Sequence, residues 1–264
     1  MKKPYDMREL GHKVRQHVVE MSFLSQSGET GSALCISDLL VALYFHILNI
    51  YPEDPTHPKR DRFILSKGHG AAALYATLAL RGFYPESYLK KFKTNGGIFH
   101  GHPCREAVPG IEASTGSLGH GLSIGLGMAL ALKQVKDVAV WVLVGDGECN
   151  EGMIWEAAQF IGTHKLSNIK VIIDRNRWQA FGPLSETNRM RLEDEWRAFG
   201  FEVDVCDGHD SNNLIQAFGK AKQSHQPHVL IADTIAGKGI RQIENTLAAH
   251  YFVAKAEHLL AEQL

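Results

Sequence analysis

Short apolar runs alternate with amphipathic segments from residue 118 to residue 232. The apolar runs predict buried strands, and the segments between them predict helices. The strands are predicted at residues 138–144, 169–173, 202–205 and 228–232, and the helices at 151–163, 193–199 and 212–224. Strands that alternate with helices form a mainly parallel sheet covered by helices on both faces. The sequence therefore predicts an α/β fold, in a single domain over residues 1–264.

The first half of the chain is predicted to add helices, one strand and a long loop. Helical spacing of Leu10, Val14 and Val18 predicts a helix over residues 7–26, and Ser37-Asp38 is predicted to cap a second helix. The other predictions are a strand at 62–65, helices over 71–81, from 118 and over 253–262, and loops over 94–117 and 175–190. Loops of that length in a compact domain are usually functional.

Composition excludes several classes of protein. Hydrophobic residues make up 44% of the 264 and charged residues 22%, with a net charge of -1, so no basic surface for nucleic acid is expected. No run reaches the roughly 18–20 apolar residues of a membrane span, and the N-terminus lacks the apolar core of a signal peptide. The cysteines form no CxxC pair, which favours reduced thiols in a cytoplasmic protein. They are Cys35, Cys104, Cys149 and Cys206.

Two oxygen-bearing side chains follow neighbouring predicted strands. Asp146, between two glycines, follows the strand at 138–144, and Asn176 follows the strand at 169–173. The carboxyl ends of strands form the edge where an open α/β sheet binds ligands. A carboxylate and an amide oxygen are hard ligands suited to Mg²⁺ bound together with phosphate, and the flanking glycines let the backbone approach a bulky anion. This pair predicts a Mg²⁺–phosphate site.

Three more motifs fall at predicted loop ends. They are Lys67-Gly68-His69-Gly70, Gly101-His102-Pro103 and Thr115-Gly116-Ser117-Leu118-Gly119. Alone, a Gly-His or Gly-Asp-Gly sequence is typical of a turn, and each histidine could equally be structural. Their combination, in this order and spacing, predicts one shared site.

At these residues the sequence resembles the thiamin diphosphate-binding half of transketolase, from about residue 10 to residue 250. The strongest part runs from Gly145 through Glu151-Gly152 to Ala157, followed by Asp174-Arg175-Asn176. The resemblance implies the thiamin diphosphate-binding fold and a transferase that moves a two-carbon ketol unit. Thiamin diphosphate supplies the carbanion chemistry in such enzymes, and the protein supplies orientation and electrostatics.

The resemblance also assigns the groups around the cofactor's diphosphate. It implies that Asp146, Asn176 and the main-chain carbonyl of Trp178 hold Mg²⁺, or Ca²⁺ or Mn²⁺ in its place. Gly145 and Gly147 are then expected to lie against the diphosphate.

Three histidines match active-site positions of the family. His69 is expected to reach the diphosphate and substrate oxygens, and His102 the hydroxyls of the donor sugar. His250 matches a third histidine, although Tyr251 follows it where the family has glycine. Histidine suits proton transfer near neutral pH. The segment expected beneath the aminopyrimidine ring is Gly116, Ser117 and Leu118.

Glu151 has two compatible interpretations. As a glutamate in the first turn of a predicted helix, it is favourable at the helix N-terminus. In the resemblance it matches a carboxylate at the dimer interface that links two active sites.

The sequence departs from the family pattern in two places. Glu29, in Ser27-Gly28-Glu29-Thr30-Gly31, replaces an active-site histidine. A carboxylate accepts hydrogen bonds from hydroxyls and repels anions, so the donor or acceptor is predicted to differ from the usual sugar phosphates. In addition, the sequence ends where the family's pyrimidine-binding domain begins. This predicts one subunit of a split enzyme, in a heterotetramer with a separately encoded pyrimidine-domain subunit.

Three alternatives remain beside a ketol transferase acting on a ketose donor. One is the same chemistry with an unusual acceptor, such as a carrier-bound thioester, for which Glu29 is the motive. Another is the α-subunit of a 2-oxoacid dehydrogenase, against which the hydroxyl-facing His69 and His102 argue. The third is a non-catalytic paralogue, against which the joint presence of Asp146 and Asn176 with those histidines argues.

Overall fold

A parallel sheet forms the centre of the protein. The computed structural model describes residues 5–187 and 191–259. Its strands are β1 Arg62–Leu65, β2 Val140–Gly145, β3 Ile169–Arg175, β4 Trp178–Gln179, β5 Gly182–Pro183, β6 Glu202–Asp207 and β7 His228–Asp233. Within the described residues, five strands pair in parallel in the order β1-β2-β3-β7-β6, and β4 and β5 form a separate antiparallel hairpin. The predicted parallel α/β sheet is confirmed.

The helices have the predicted positions within one to three residues over most of the chain. They are α1 Met7–Ser25, α2 Thr30–Cys35, α3 Ser37–Ala42, α4 Ala71–Leu80, α5 His120–Ala131, α6 Gly152–Thr163, α7 Leu184–Thr187, α8 Leu192–Ala198, α9 Ser211–Gln223, α10 Ala248–Tyr251 and α11 Ala256–Leu259. A π-helical turn, Leu43–Ile47, continues α3, and 3₁₀ turns lie at Gly68–Gly70, Glu86–Lys91 and Gly147–Asn150.

Two apolar clusters cover the two faces of the sheet. Trp141 and Leu143 of β2 pack into the cluster that includes α1 to α4 and α9. Val140, Val142 and Val144, which alternate with them, pack into the cluster that includes α5 and α6. Because both faces are covered, each central strand is a continuous apolar run.

The chain leaves neighbouring strands toward opposite faces. After β1 it enters α4 in the first cluster, and after β2 it enters α6 in the second. Such a divergence opens a crevice at the carboxyl ends of the strands, where α/β sheets bind ligands. The fold therefore places a candidate site beyond β1, β2 and β3.

Two local predictions were wrong. Ser37 and Asp38 do not cap a helix, because α3 already begins at Ser37, after Ile36. Instead, the Ser37 hydroxyl donates to the Ala33 carbonyl, and the Asp38 carboxylate pairs with Arg15 and His209. The C-terminal segment also differs from a single helix over 253–262: residues 252–255 separate α10 from α11, and residues 260–262 lie outside the described part.

None of the helices in the described ranges combines the length and the apolar character needed to cross a bilayer.

Candidate active site

One cavity of about 430 Å³ lies at the carboxyl edge of the sheet, within the size range of small-molecule sites. It gathers every residue that the sequence singled out for the site except Ser117, which is exposed beside it. The predicted residues among those that line it are Glu29, His69, His102, Gly116, Leu118, Gly145, Asp146, Gly147, Glu151, Asn176, Trp178 and His250.

Asp146 is the buried carboxylate of this cavity. Its side chain is 1% exposed, and its oxygens accept hydrogen bonds from the backbone N–H groups of Gly147 at 2.8 Å and Arg177 at 2.6 Å. Burial, assisted by the nearby Asp174 carboxylate, raises the pKa of Asp146 to about 7. Among the described residues no lysine or arginine forms an ion pair with it, so a bound cation would favour the ionised form of Asp146.

Asn176 lies on the neighbouring strand end with a fixed orientation. Its Nδ2 donates to Asp174 Oδ2 at 3.0 Å, and its Oδ1 accepts from the backbone N–H of Trp178 at 2.9 Å. Arg177, between Asn176 and Trp178 in the sequence, has a left-handed backbone conformation with φ +66°. That turn brings the N–H of Arg177 to Asp146 and the N–H of Trp178 to Asn176 Oδ1.

The oxygen ligands of Asp146 and Asn176 suit a metal ion that is also bound by a phosphate. Within residues 5–187 and 191–259, no three His, Cys, Asp or Glu side chains are placed to hold a metal by themselves. Mg²⁺ is commonly bound by one or two carboxylates together with phosphate oxygens. One buried carboxylate, one amide oxygen and a turn backbone therefore suit a metal–diphosphate pair.

The three histidines meet inside the cavity. His69 lies in the 3₁₀ turn after β1, and His250 lies in α10, with ring centroids 6.2 Å apart. The ring of His102 lies against Gly116, where an added Cβ would approach it to 3.3 Å. The fold thus brings together His69, His102 and His250, which are separated by up to 181 residues in the sequence.

Burial and a neighbouring cation keep two of these rings neutral. Burial, with smaller effects from Lys67 and the other two histidines, lowers the pKa of His69 to about 3. Burial and Lys67 also lower the pKa of His250, against an opposing effect of Glu29. A neutral imidazole both donates and accepts a hydrogen bond, so these rings can bind hydroxyls.

The two predicted carboxylates lie at the exposed side of the cavity. Glu29 precedes α2 in the left-handed region, at φ +67°, and its Oε2 lies 3.7 Å from Lys93 Nζ. Glu151 directly precedes α6 instead of lying in its first turn as predicted, and its Cβ lies close to Gly119. Its side chain forms no capping hydrogen bond.

Glu148, which the sequence did not single out, ties three segments together beneath the cavity. One carboxylate oxygen accepts from the Ser66 hydroxyl and from the Gly119 N–H, and the other accepts from the Gly145 N–H at 3.0 Å. Burial raises the pKa of Glu148. A glutamate directly after Gly-Asp-Gly gives no sequence signal for these partners.

A buried ion pair between Lys67 and Asp174 was also missed at the level of sequence. The ammonium of Lys67, 1% exposed, donates to Asp174 Oδ2 at 2.5 Å. One sequence feature could have indicated the pair: each charged residue lies at the end of an apolar strand, where an unpaired charge is costly.

The chain belongs to the transketolase family. It matches the family described as transketolase, thiamine diphosphate binding domain, over residues 8–262, which confirms the resemblance. It is 42% identical over 248 residues to one of the subunits of the apulose-4-phosphate transketolase of Phocaeicola vulgatus, covering 93% of this chain and 88% of that protein. It is 39% identical to the 6-deoxy-6-sulfo-D-fructose transketolase subunit SqwG of a Clostridium species, covering 93% and 90%.

Solved transketolases share the fold over a larger polypeptide. The transketolase from Leishmania mexicana superposes with a TM-score of 0.92 at 26% identity, covering 97% of this chain and 40% of that one. The enzyme from Campylobacter jejuni gives a TM-score of 0.88 at 30% identity, covering 96% and 42%. The chain therefore spans about two fifths of the solved transketolases that it matches.

Proposed function

We propose that this protein is the diphosphate-binding subunit of a two-component transketolase-like enzyme. The enzyme transfers a two-carbon ketol unit from a ketose donor to an acceptor. The observation that carries the proposal is the convergence of Asp146, Asn176 and three histidines on one cavity at the sheet edge. A ketol donor carries hydroxyls and a carbonyl that neutral imidazoles can bind.

The proposed cofactors are thiamin diphosphate and Mg²⁺, for which Ca²⁺ or Mn²⁺ could substitute. Asp146, Asn176 and the carbonyl of Trp178 would hold the metal, and Gly145 and Gly147 would approach the diphosphate. Gly116, Ser117 and Leu118 would lie beneath the aminopyrimidine. When bound, thiamin diphosphate supplies the nucleophilic carbon and stabilises the carbanion.

The histidines would orient the substrate and move its protons. A ring nitrogen of neutral His69 or His250 would accept a hydrogen bond from a donor hydroxyl. His250 would accept the hydroxyl's proton when the carbon–carbon bond breaks, because a pKa of about 3 makes His69 a weak base. His102 is proposed to hold another hydroxyl of the donor. Glu151 is proposed to couple two active sites across an interface between copies of this chain.

Glu29 is proposed to set the choice of substrate. Its carboxylate stands at the cavity beside Lys93, where it accepts hydrogen bonds from hydroxyls and disfavours a nearby anion. The names of the two bacterial relatives include a phosphorylated and a sulfonated sugar. Anionic and uncharged sugars are therefore the two classes to compare.

The Glu29→His variant tests this proposal in the presence of the partner subunit. We expect the ratio of kcat/KM values for phosphorylated and unphosphorylated sugars to rise, because the variant removes a negative charge. Glu106→His, at an exposed position, is the control and should leave the ratio unchanged. An unchanged ratio in Glu29→His would sink the proposal.

The proposed partner is a separately encoded pyrimidine-domain subunit, in a heterotetramer. Support comes from the names of the two relatives, which describe each of them as one subunit of an enzyme. The four free cysteines, three of them buried, support a cytoplasmic location.

Calorimetry and activity assays test the function itself. We expect Mg²⁺-dependent binding of thiamin diphosphate, and ketol transfer only in the presence of the partner. Asp146→Ala should abolish the Mg²⁺ dependence. Robust turnover by the chain alone would contradict the split enzyme. Failure to bind the cofactor, with or without the partner, would favour a non-catalytic paralogue.

A further inference from the structure

Asp174 is a buried carboxylate that accepts hydrogen bonds from several elements at once. It is 0% exposed. Among the described residues, its Oδ2 accepts from Lys67 Nζ at 2.5 Å, Asn176 Nδ2 at 3.0 Å and Cys35 Sγ at 3.1 Å. Its Oδ1 accepts from the Thr234 hydroxyl. The carboxylate thus connects β3, α2, the turn that follows β1 and the segment that follows β7.

The same residue contacts both side-chain metal ligands of the proposed site. Its carboxylate binds Asn176 through Nδ2, and its main-chain carbonyl accepts the N–H of Asp146 at 3.1 Å. Asp174 is also the register partner of Gly145, the residue before Asp146. The two ligands therefore depend on one residue for their relative position.

The charge of Asp174 explains why an aspartate is needed here. The two ends of an asparagine amide have nearly the same shape but opposite hydrogen-bonding character. An ionised carboxylate accepts and never donates, so it selects the Nδ2 end of Asn176 and leaves Oδ1 directed away from it. A neutral amide at position 174 could pair with either end.

Lys67 keeps Asp174 ionised despite its burial. The Lys67 ammonium lies 2.5 Å from Oδ2, and three further hydrogen-bond donors contact the carboxylate. Both charges are buried, and each would be costly without the other. The ion pair is thus a fixed acceptor with its counter-charge.

We propose that Asp174, with Lys67 as its counter-ion, is a positioning residue that orients Asn176 and Asp146 toward the cation of the cofactor. The inference rests on the proposed function, because it concerns the same metal site. Groups that orient metal ligands typically contribute roughly 10–100-fold to metal affinity.

The first test is a calorimetric titration of Mg²⁺ into the full chain with saturating thiamin diphosphate. Asp174→Asn should weaken the Mg²⁺ affinity by roughly 10–100-fold. Thr234→Val is the matched control, because it removes a donor to the other carboxylate oxygen and leaves Oδ2 and its partners in place. It should change the affinity by less than about threefold.

A second variant separates orientation from the burial of an unpaired charge. Asp174→Asn alone leaves Lys67 without a counter-ion, which can unfold the chain. Lys67→Gln/Asp174→Asn removes both charges of the pair and is therefore compared with wild type. We expect the double variant to bind Mg²⁺ roughly 10–100-fold more weakly than wild type. Wild-type affinity in a folded double variant would overturn the inference.

A third measurement does not depend on metal or activity. The side-chain amide protons of Asn176, assigned by their loss in Asn176→Asp, should be protected from solvent exchange in the metal-free chain. They should lose that protection in the double variant relative to wild type. Unchanged protection would overturn the inference, whereas a wild-type chain that binds no Mg²⁺ with thiamin diphosphate would contradict only the proposed function.

Discussion

The rings of His69 and His250 lie 6.2 Å apart at an angle of 46°, although one follows β1 and the other belongs to a helix near the end of the described chain. Both rings lie near the buried ammonium of Lys67, which disfavours a second positive charge beside it. Two neutral imidazoles therefore face one cavity, and each can both donate a hydrogen bond to a hydroxyl and accept one from it.

The depressed pKa of His69 predicts a loss of stability in mild acid. The pKa is about 3 in the folded chain and about 6.5 in the unfolded chain. Between these values the unfolded chain binds a proton that the folded chain does not, so the free energy of unfolding falls as the pH falls. From pH 6.5 to pH 5, wild type should lose about 2 kcal/mol more than His69→Gln. Urea unfolding at the two pH values measures the free energy of unfolding, and His225→Gln, at an exposed position, is the control. Equal losses in wild type and His69→Gln would contradict the prediction.

Substitution of Glu148 is predicted to destabilise the chain, because its carboxylate connects several loops by hydrogen bonds. Glu148→Ala removes the acceptor for the Ser66 hydroxyl and for the buried N–H groups of Gly119 and Gly145. Unsatisfied buried donors cost about 1–3 kcal/mol each, so the free energy of unfolding should fall by about 3 kcal/mol or more. The exposed Glu156→Ala should change it by less than about 0.5 kcal/mol. Similar values for the two variants in urea would show that Glu148 does not hold these loops.

The architecture could be predicted from sequence because its signals are local. Each central strand is an apolar run, and each helix has periodic apolar positions, so the parallel sheet and most element bounds were confirmed. The hairpin of β4 and β5 was missed because two-residue strands carry no periodicity. The short helix α10 was missed for the same reason.

Side-chain partners were harder to predict. The Lys67–Asp174 ion pair joins residues 107 positions apart and exists because β1 and β3 end at the same edge of the sheet on either side of β2. Neither residue has a local pattern that identifies the other. The family resemblance located the residues expected to contact the cofactor. The supporting contacts of Lys67, Asp174 and Glu148 became evident only from the structure.

A side chain at position 31 is predicted to disturb the packing of two helices beside the cavity. A Cβ added at Gly31 in α2 would lie 2.4 Å from the carbonyl oxygen of Ala249, the neighbour of His250 in α10. Gly31→Ala should therefore separate α2 from α10 and cost about 1–3 kcal/mol, measured by thermal and urea unfolding. Gly219→Ala in α9, where an added Cβ meets nothing within 4 Å, should instead stabilise by about 0.5–1 kcal/mol. Equal signs for the two substitutions would contradict this account.

Substitution of Phe181 is predicted to weaken binding of the partner subunit without changing the stability of the chain. Phe181 lies between β4 and β5 with its side chain 88% exposed, yet it lines the cavity. The hairpin is attached to α10 by the Tyr251 hydroxyl, which donates to the Ala180 carbonyl at 3.1 Å. Aromatic side chains are enriched in protein–protein interfaces. We therefore expect the proposed partner subunit to contact Phe181.

Phe181→Ser should therefore leave the free energy of unfolding within about 0.5 kcal/mol of wild type and weaken binding of the partner subunit by about tenfold or more. Calorimetric titration of the partner into each variant measures the affinity. Val205→Thr is the matched control, because Val205 is an exposed apolar side chain, 46% exposed, on the edge strand β6 and does not line the cavity. If both variants bound the partner as tightly as wild type, Phe181 would not belong to the docking surface. A partner that bound and still gave no ketol transfer with Phe181→Ser would instead indicate that the side chain acts on the substrate.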